Sequence, residues 1–187
     1  MFGDLHIHMI LDGVYYRAAI DAQKEHPLDG LIRARLSDYQ ARGVCLLRDG
    51  GDAWGVSLRA RELAGEYGID YRSPAFPIYR RGHYGAFIGR GFDTEDEYRA
   101  LLDEAGEKRA DFIKLMISGL IDFDHFGVLT EPGPEPQDIR RMIELAHAAG
   151  FAVMAHANGD RAVTAALQAG VDSIEHGAYL SESVLLR

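Results

Sequence analysis

One arrangement of hydrophobic and polar residues recurs along the chain. An amphipathic stretch with helical spacing runs to a glycine, and a short apolar run follows at once. Each glycine stands where the C-terminus of a helix favours a left-handed residue. The pattern predicts helices over 31–43, 54–68, 139–150 and 161–170, which end at Gly43, Gly68, Gly150 and Gly170.

A fifth predicted helix, over 95–110, lacks the terminal glycine but has a well-marked start. Asp93 and Thr94 are candidate N-caps, because their side-chain oxygens can accept hydrogen bonds from the first backbone amides. Acidic residues follow in the first turn, where the helix dipole favours negative charge. This segment continues the alternation of helix and strand.

The predicted strands are apolar along almost their whole length. The runs at 44–47, 112–117 and 151–155 show this most clearly, and strands covered on both faces have this composition. With 3–10 as the first strand there are about six, each followed by a helix or a loop. This order predicts an α/β fold with parallel strands, either a (β/α) barrel or an open doubly wound sheet. No glycine-rich phosphate-binding motif follows a strand, which disfavours a nucleotide-binding sheet.

Length and composition fit one globular domain over residues 1–187. Hydrophobic residues make up 47% of the chain and charged residues 26%, and the formal net charge is -9. An acidic chain does not attract phosphate backbones, so we expect no nucleic-acid partner. No apolar stretch approaches the roughly 20 residues of a membrane span, so we expect no membrane partner. The single cysteine, Cys45, and the lack of a signal peptide indicate a cytoplasmic protein.

Polar residues stand at the ends of the predicted strands. In a parallel barrel the carboxyl ends of all strands lie at one rim, where the chemistry takes place. From the first strand to the sixth, the candidates are His6 and His8, Arg48 and Asp49, His83, Lys114, His156, and Glu175 and His176. A long loop rich in glycine and proline, 119–135, follows the fourth strand, and such ordered loops are often functional.

The histidines are the first sign of a metal site. His6 and His8 stand two residues apart on one strand, so their rings share a face and suit a divalent ion. Singly, His156 and His176 are explained as well by neutral core histidines with a satisfied hydrogen bond. Four histidines at one end of successive βα units favour a shared metal site instead. Asp4, just before the first pair, is a candidate to orient His6.

Lys114 is the second sign, because it lies inside the apolar run of the fourth strand. Burying an ammonium group is costly, and burial lowers the pKa of a lysine so that a neutral amine becomes available. Beside two metal ions such an amine can take up carbon dioxide and become a carbamate, a bridging anionic ligand. The alternative is a lysine that reaches solvent or pairs with Asp122 or Asp124.

Five ordered motifs, DLHIH, RDGG, FIKLMISG, VMAHANG and SIEHG, resemble the amidohydrolase superfamily. The resemblance covers nearly the whole chain and is nearest to the imidazolonepropionase-like and metal-dependent prolidase-like branch. It implies a (β/α) barrel with a binuclear divalent site, commonly two zinc ions. By this resemblance His6 and His8 bind one ion, His156 and His176 bind the other, and a carboxylated Lys114 bridges them.

The implied reaction is hydrolysis of a C–N bond in a small amide, a cyclic amide or a dipeptide. Two metal ions would generate a hydroxide at neutral pH and polarise the scissile carbonyl. His83 lies where the family often has a histidine after the third strand. We expect it to contact the small-molecule substrate, with Tyr84 and Arg48 as further candidates.

The chain departs from the family pattern in two ways. The first strand begins at once, without the N-terminal part of the small β-sandwich that the family usually carries. The sequence also ends soon after the sixth strand, whereas the family's general base is an aspartate at the end of the eighth. We therefore expect an incomplete barrel without its catalytic base, weakly active alone. Its open strand edges are expected to pair in a homo-oligomer or with another chain.

Two alternatives stay open. A metal-dependent phosphoesterase barrel also begins with two histidines on its first strand, although a lysine on the fourth strand fits it poorly. A non-catalytic metal-binding fragment or assembly partner would account for the early end of the chain.

Overall fold

Strands and helices alternate throughout residues 2–187, the part of the chain that the computed structural model describes. The strands are β1 Phe2–Ile7, β2 Val44–Asp49, β3 Asp70–Arg72, β4 Pro77–Arg80, β5 Arg90–Phe92, β6 Ile113–Met116, β7 Val153–Ala157 and β8 Ser173–His176. The helices are α1 Tyr16–Asp21, α2 Asp29–Ala41, α3 Val56–Ala64, α4 Glu95–Glu107, α5 Pro136–Ala148, α6 Gly159–Gln168 and α7 Glu182–Leu185, with a 3-10 helix at Gly65–Tyr67.

The predicted helix ends are confirmed by backbone conformation. Glycines with positive φ follow four of the helical segments, namely Gly43 (76°), Gly68 (66°), Gly150 (88°) and Gly170 (76°). Thr94 caps α4, because its side chain accepts a hydrogen bond from the amide of Glu97. Asp93, the other candidate, stands one residue earlier and donates its amide to the carboxylate of Glu97.

All strand pairs are parallel, in the orders β1-β2-β3 and β5-β4-β6-β7-β8. The third predicted strand is the run 69–78, which follows Gly68. It is split by a bend at residues 73–76, so that β3 pairs with β2 and β4 pairs with β6. Ala75 has a φ of 66° at this bend. The predicted strands are thereby joined in chain order into one arc. The pattern does not predict the short β5, since Arg90 and Gly91 interrupt any apolar run.

The helices pack against the strands in two hydrophobic clusters. One joins β4, β6 and β7 with α4, α5 and α6, and the other joins β1, β2 and β3 with α2 and α3. The strands β6 and β7 are buried along their whole length, as their apolar runs predict for strands covered on both faces. Lys114, on β6, is therefore held in the interior.

Side chains from the two ends of the arc meet each other. The guanidinium of Arg48, on β2, lies 2.5 Å from the carboxylate of Glu175, on β8. The Nδ1 of His6, on β1, lies 3.2 Å from the same carboxylate. Arg48 also donates to the carbonyl of Leu5 and to the hydroxyl of Ser173. These contacts bring the carboxyl ends of β1, β2 and β8 together, although β8 pairs with neither of the other two.

The outer strands of the arc have open edges. Within residues 2–187, β1 and β8 each have a neighbouring strand on one side only. Phe2 and Leu5, on β1, are 69% and 52% exposed. Association through these edges stays a prediction, as does a single domain over 1–187. Of the helices in this part of the chain, none has both the length and the apolar character needed to cross a membrane.

Candidate metal centre

The four predicted histidines come together at the carboxyl ends of β1, β7 and β8. The ring centroids of His6 and His8 are 5.4 Å apart, and those of His6 and His176 are 4.9 Å apart. The ring of His156 lies 4.7 Å from that of His176. We call these four residues the histidine cluster. It arises because parallel strands deliver their last side chains to one rim.

Hydrogen bonds orient the rings of the cluster. The Nδ1 of His8 lies 3.0 Å from the carbonyl oxygen of Gly51, which requires the proton on Nδ1 and leaves Nε2 as the free lone pair. The Nδ1 of His6 faces Glu175 in the same way. The Nε2 of His156 lies 3.1 Å from the carbonyl oxygen of Gly119. Each of these three rings thus keeps one nitrogen available to a ligand.

His176 is held in place by its backbone. Its φ is 73°, in the left-handed region that side chains other than glycine rarely adopt. Such a conformation persists only where the surrounding structure imposes it, and it is found at functional sites. Here it accompanies a ring that contacts both His6 and His156.

Neutral imidazoles are the form that binds divalent ions. Burial, with the charge of Lys114 next, lowers the pKa of His8 to about 3. Burial also lowers the pKa of His156 to about 3 and that of His176 to about 4, with like charges nearby adding to the effect. His8, His156 and His176 therefore stay unprotonated at neutral pH.

Lys114 is the most unusual residue of the interior. Its side chain is fully buried, and its Nζ has no hydrogen-bond partner among the described residues. The alternative partners lie elsewhere, since Asp122 is in an exposed loop and bonds to His125. Burial lowers the pKa of Lys114 to about 7. An unpaired amine in this position is chemically suited to an added ligand.

Glu175 is the residue whose role the sequence pattern leaves unassigned. Its carboxylate accepts hydrogen bonds from Arg48 and Ser173 and faces the ring of His6. Burial raises its pKa, but the hydrogen bonds from His6 and Ser173 outweigh burial and hold the pKa at about 2. Asp4, predicted to orient His6, accepts only the backbone amide of that residue. The sequence feature that could have pointed to a role for Glu175 is its position directly before His176, the histidine at the end of that strand.

The RDGG motif shapes the cavity around His8. Asp49 is fully buried and accepts hydrogen bonds from the amides of Met9 and Gly51 and from the hydroxyl of Tyr71. It thus ties the end of β1 to the end of β2. Gly50 leaves the space that the His8 ring occupies, since a Cβ there would lie 2.4 Å from its Cε1.

The predicted substrate contacts are placed as follows. Arg48 is on the inner side of the arc but is bonded to Glu175, Ser173 and Leu5, so its substrate role stays a prediction. The Nδ1 of His83 lies 2.9 Å from Glu131, which belongs to the loop 119–135. The amide of Tyr84 donates to the same carboxylate, and its ring lies 4.9 Å from that of His156.

The donor set fits a divalent ion by its chemistry. It combines neutral imidazoles with a buried amine that lacks a partner. With the side chains where they stand, no three His, Cys, Asp or Glu residues within 2–187 form a group that could hold an ion.

Comparisons with known proteins bear on the fold of the chain. The chain is 28% identical to ochratoxinase of Aspergillus niger over 146 residues, which are 76% of this chain and 28% of that protein. The crystal structure of A. niger ochratoxinase aligns with a TM-score of 0.72 at 20% identity, covering 97% of this chain and 48% of that one. No family model matches the chain.

Two further solved structures align over 98% of this chain. One is an uncharacterized protein, with a TM-score of 0.76, 25% identity and 48% of its own length covered. The other is a Xaa-Pro dipeptidase with bound methionine in its active site, with a TM-score of 0.71, 20% identity and 49% covered. The chain thus spans about half the length of these structures.

These alignments confirm the predicted fold class, an incomplete (β/α) barrel in which parallel strands alternate with helices. The aligned proteins that carry a functional name, an ochratoxinase and a Xaa-Pro dipeptidase, are in keeping with the resemblance drawn from the sequence motifs. No comparison tests the individual site residues, which stay predictions.

Substituting Gly50 by Ala should push His8 out of the cluster. The new Cβ would lie 2.4 Å from Cε1 and 2.7 Å from Nε2 of that ring. We expect a crystal structure of the variant to show His8 rotated away, and zinc affinity to fall about tenfold or more. Gly30→Ala is the matched control, since a Cβ there meets nothing within 4 Å. Unchanged zinc affinity in Gly50→Ala would contradict this role of the motif.

Substituting Tyr71 by Phe should raise the pKa of Asp49 further. Burial already raises it to about 7, and the hydrogen bond from Tyr71 opposes that rise. The pKa of Asp49 in the folded protein is higher than its ordinary value of 3.8. The contribution of Asp49 to the free energy of unfolding is therefore fully present below pH 3.8 and is lost as the pH rises through about 7. Carboxyl-carbon NMR titration measures the midpoint in both proteins.

Tyr98→Phe is the control for this titration. The Tyr98 hydroxyl is also buried, but it donates to the carbonyl of Met142 in the other hydrophobic cluster. The variant should leave the midpoint of Asp49 unchanged. An Asp49 midpoint at 3.8 in the wild type would show that burial does not control this carboxyl.

Proposed function

We propose that this chain forms part of a metal-dependent hydrolase that cleaves C–N bonds in small amides or dipeptides. The observation that carries the proposal is the meeting of four histidine rings at one rim. A buried, partnerless lysine lies near enough for its charge to act on three of them, His8, His156 and His176. Support also comes from the names of the aligned proteins, an ochratoxinase and a Xaa-Pro dipeptidase.

The proposed ligands follow from the geometry and the family resemblance. His6 and His8 would hold one divalent ion, and His156 and His176 a second, with zinc suited to imidazole ligands. When bound, the ions would polarise a substrate carbonyl and lower the pKa of water. The carboxylate of Glu175 accepts a hydrogen bond from Nδ1 of His6, which fixes the tautomer and leaves Nε2 as the nitrogen that would bind an ion.

Lys114 would complete the site as a carbamate. The neutral amine would attack the carbon of carbon dioxide. An N–C bond would form as one C–O π bond breaks and leaves its electron pair on oxygen, and one amine proton would leave to solvent. The reaction needs the neutral amine, which the lowered pKa of about 7 makes available. The product replaces a costly buried cation by an anion that can lie between two cations.

The general base is the part of the proposed machinery that these residues do not supply. Glu175 is bonded to Arg48 and Ser173. Asp122 accepts hydrogen bonds from the amide of Asp124 and from His125. Neither carboxylate is free to take a proton from water, so we expect slow amide hydrolysis by this chain alone.

Replacing His6 and His8 together by Ala should remove about half of the bound zinc or more, because one ion loses both imidazole ligands. Elemental analysis of dialysed protein measures this, and dipeptide hydrolysis in the same samples should fall with it. His125→Ala is the control, since that side chain is 73% exposed and pairs with Asp122. Metal content that is the same in all three proteins would refute the metal site.

The carbamate can be observed directly. In the presence of 13C-labelled bicarbonate and zinc, the wild type should show a carbamate carbon signal by NMR. The signal should be absent without metal and absent in Lys114→Met, which removes the amine. Lys108→Met, at an exposed position after α4, should keep it. Electron density with the Lys114 amine pointing away from the zinc-loaded cluster would also exclude the carbamate.

A metal-dependent phosphoesterase is the other enzymatic candidate, and it shares the pair of histidines on the first strand. The name of one aligned protein, a Xaa-Pro dipeptidase, favours a peptide substrate over a phosphodiester. Turnover of a phosphodiester but of no amide by the zinc-loaded protein would reverse this preference. Metal binding without turnover of either would favour a non-catalytic role.

A further inference from the structure

A cavity of ≈ 550 Å³ opens beside the histidine cluster. Its walls come from the loops that follow β1, β4 and β6 and from the first residue of α1. They include Leu11, Tyr16, His83, Tyr84, Phe87 and Leu120. The volume lies in the range of roughly 300–1,000 Å³ that is usual for small-molecule sites.

A row of aromatic rings connects this cavity to the cluster. The ring of Tyr16 meets that of Phe87 edge-on at 5.9 Å. The ring of Phe87 lies 5.5 Å from that of Tyr84, and Tyr84 lies 4.9 Å from His156. A molecule whose reacting bond lies at the cluster therefore has its adjoining group directed along this row into the cavity.

The cavity offers nothing to a charged group. Its lining residues include no Lys, Arg, Asp or Glu. His83 lines the cavity, but its Nδ1 already lies 2.9 Å from the carboxylate of Glu131. An ionised group would lose its hydration here without gaining a partner, whereas an apolar group would gain by leaving water. Flat rings also match the tilted and edge-on packing of the existing aromatic row.

We propose that this cavity binds an apolar side chain, best an aromatic one, next to the amide bond that the cluster cleaves. The inference rests on the proposed function and deepens it, since it assigns the substrate class.

Leu120 is the residue best suited to a test of this proposal. Its side chain lines the cavity but is 38% exposed, and its hydrogen bonds to Thr130 involve only the backbone of Leu120.

The experiment measures binding separately from turnover. N-acetylated amides of phenylalanine, leucine, aspartate and lysine are titrated into the zinc-loaded full chain, and ligand-observed NMR gives each affinity. The phenylalanine amide should bind about tenfold more tightly than the aspartate and lysine amides. Leu120→Lys should weaken phenylalanine amide binding about tenfold, because it places an ammonium group in the cavity.

Val128→Lys is the matched control. It lies in the same loop, is 46% exposed and does not line the cavity, so affinity should stay within about twofold of the wild type. Circular dichroism and zinc content should be the same in all three proteins. Equal affinity for charged and aromatic amides, or equal loss in both variants, would overturn the assignment.

The two proposals fail separately. If the phenylalanine amide binds as expected but no amide is hydrolysed, the cavity assignment stands and the hydrolase proposal falls. If charged and aromatic amides are hydrolysed at similar rates and bind equally well, the hydrolase proposal stands and the cavity assignment falls.

Discussion

The cost of removing a charge from water governs the interior of this protein. Lys114 lies fully buried on β6, with no hydrogen-bond partner for its amine among the described residues. An ammonium group in that position would be strongly destabilising, and its pKa falls to about 7 as a result. The same burial keeps His8 and His156 neutral, with pKa values of about 3. Burial thus favours the uncharged form of both kinds of proposed ligand, the imidazole rings and the amine.

An ion pair inside the arc complements this desolvated centre. Arg48 and Glu175 come from strands that are not hydrogen-bonded to each other, and their contact joins β2 to the last strand of the arc, β8. Glu175 also faces His6, so a contact that holds the fold together also sets the orientation of a proposed ligand. The guanidinium of Arg48 is engaged in this network, which limits what it can offer to a substrate.

Loops at the strand ends supply the remaining parts of the site. The loop after β2 holds His8 through the carbonyl of Gly51 and makes room for its ring at Gly50. The loop 119–135 contributes Glu131, which binds both the ring of His83 and the amide of Tyr84. It also brings Leu120 to the cavity. A rigid arc with variable loops at one rim is the arrangement in which such barrels place their specificity.

The local features of the fold could be predicted from the sequence, because each depends on a short stretch of chain. Apolar runs indicated strands covered on both faces, glycines marked the helix ends, and Thr94 marked the start of α4. The direction of parallel strands was then enough to predict that His6, His8, His156 and His176 share one rim. The bend at residues 73–76 and the short β5 left no such periodic signal.

Only the tertiary structure decided which side chains touch. Two partners of Glu175, Arg48 and His6, lie 127 and 169 positions away, and no local pattern encodes contacts over such separations. For the same reason Lys114 could be recognised as unusual, but its lack of a partner could not be foreseen. The sequence determined which chemical groups reach the rim, through strand direction and spacing. The packing of distant segments decided which of those groups were desolvated, paired or left free.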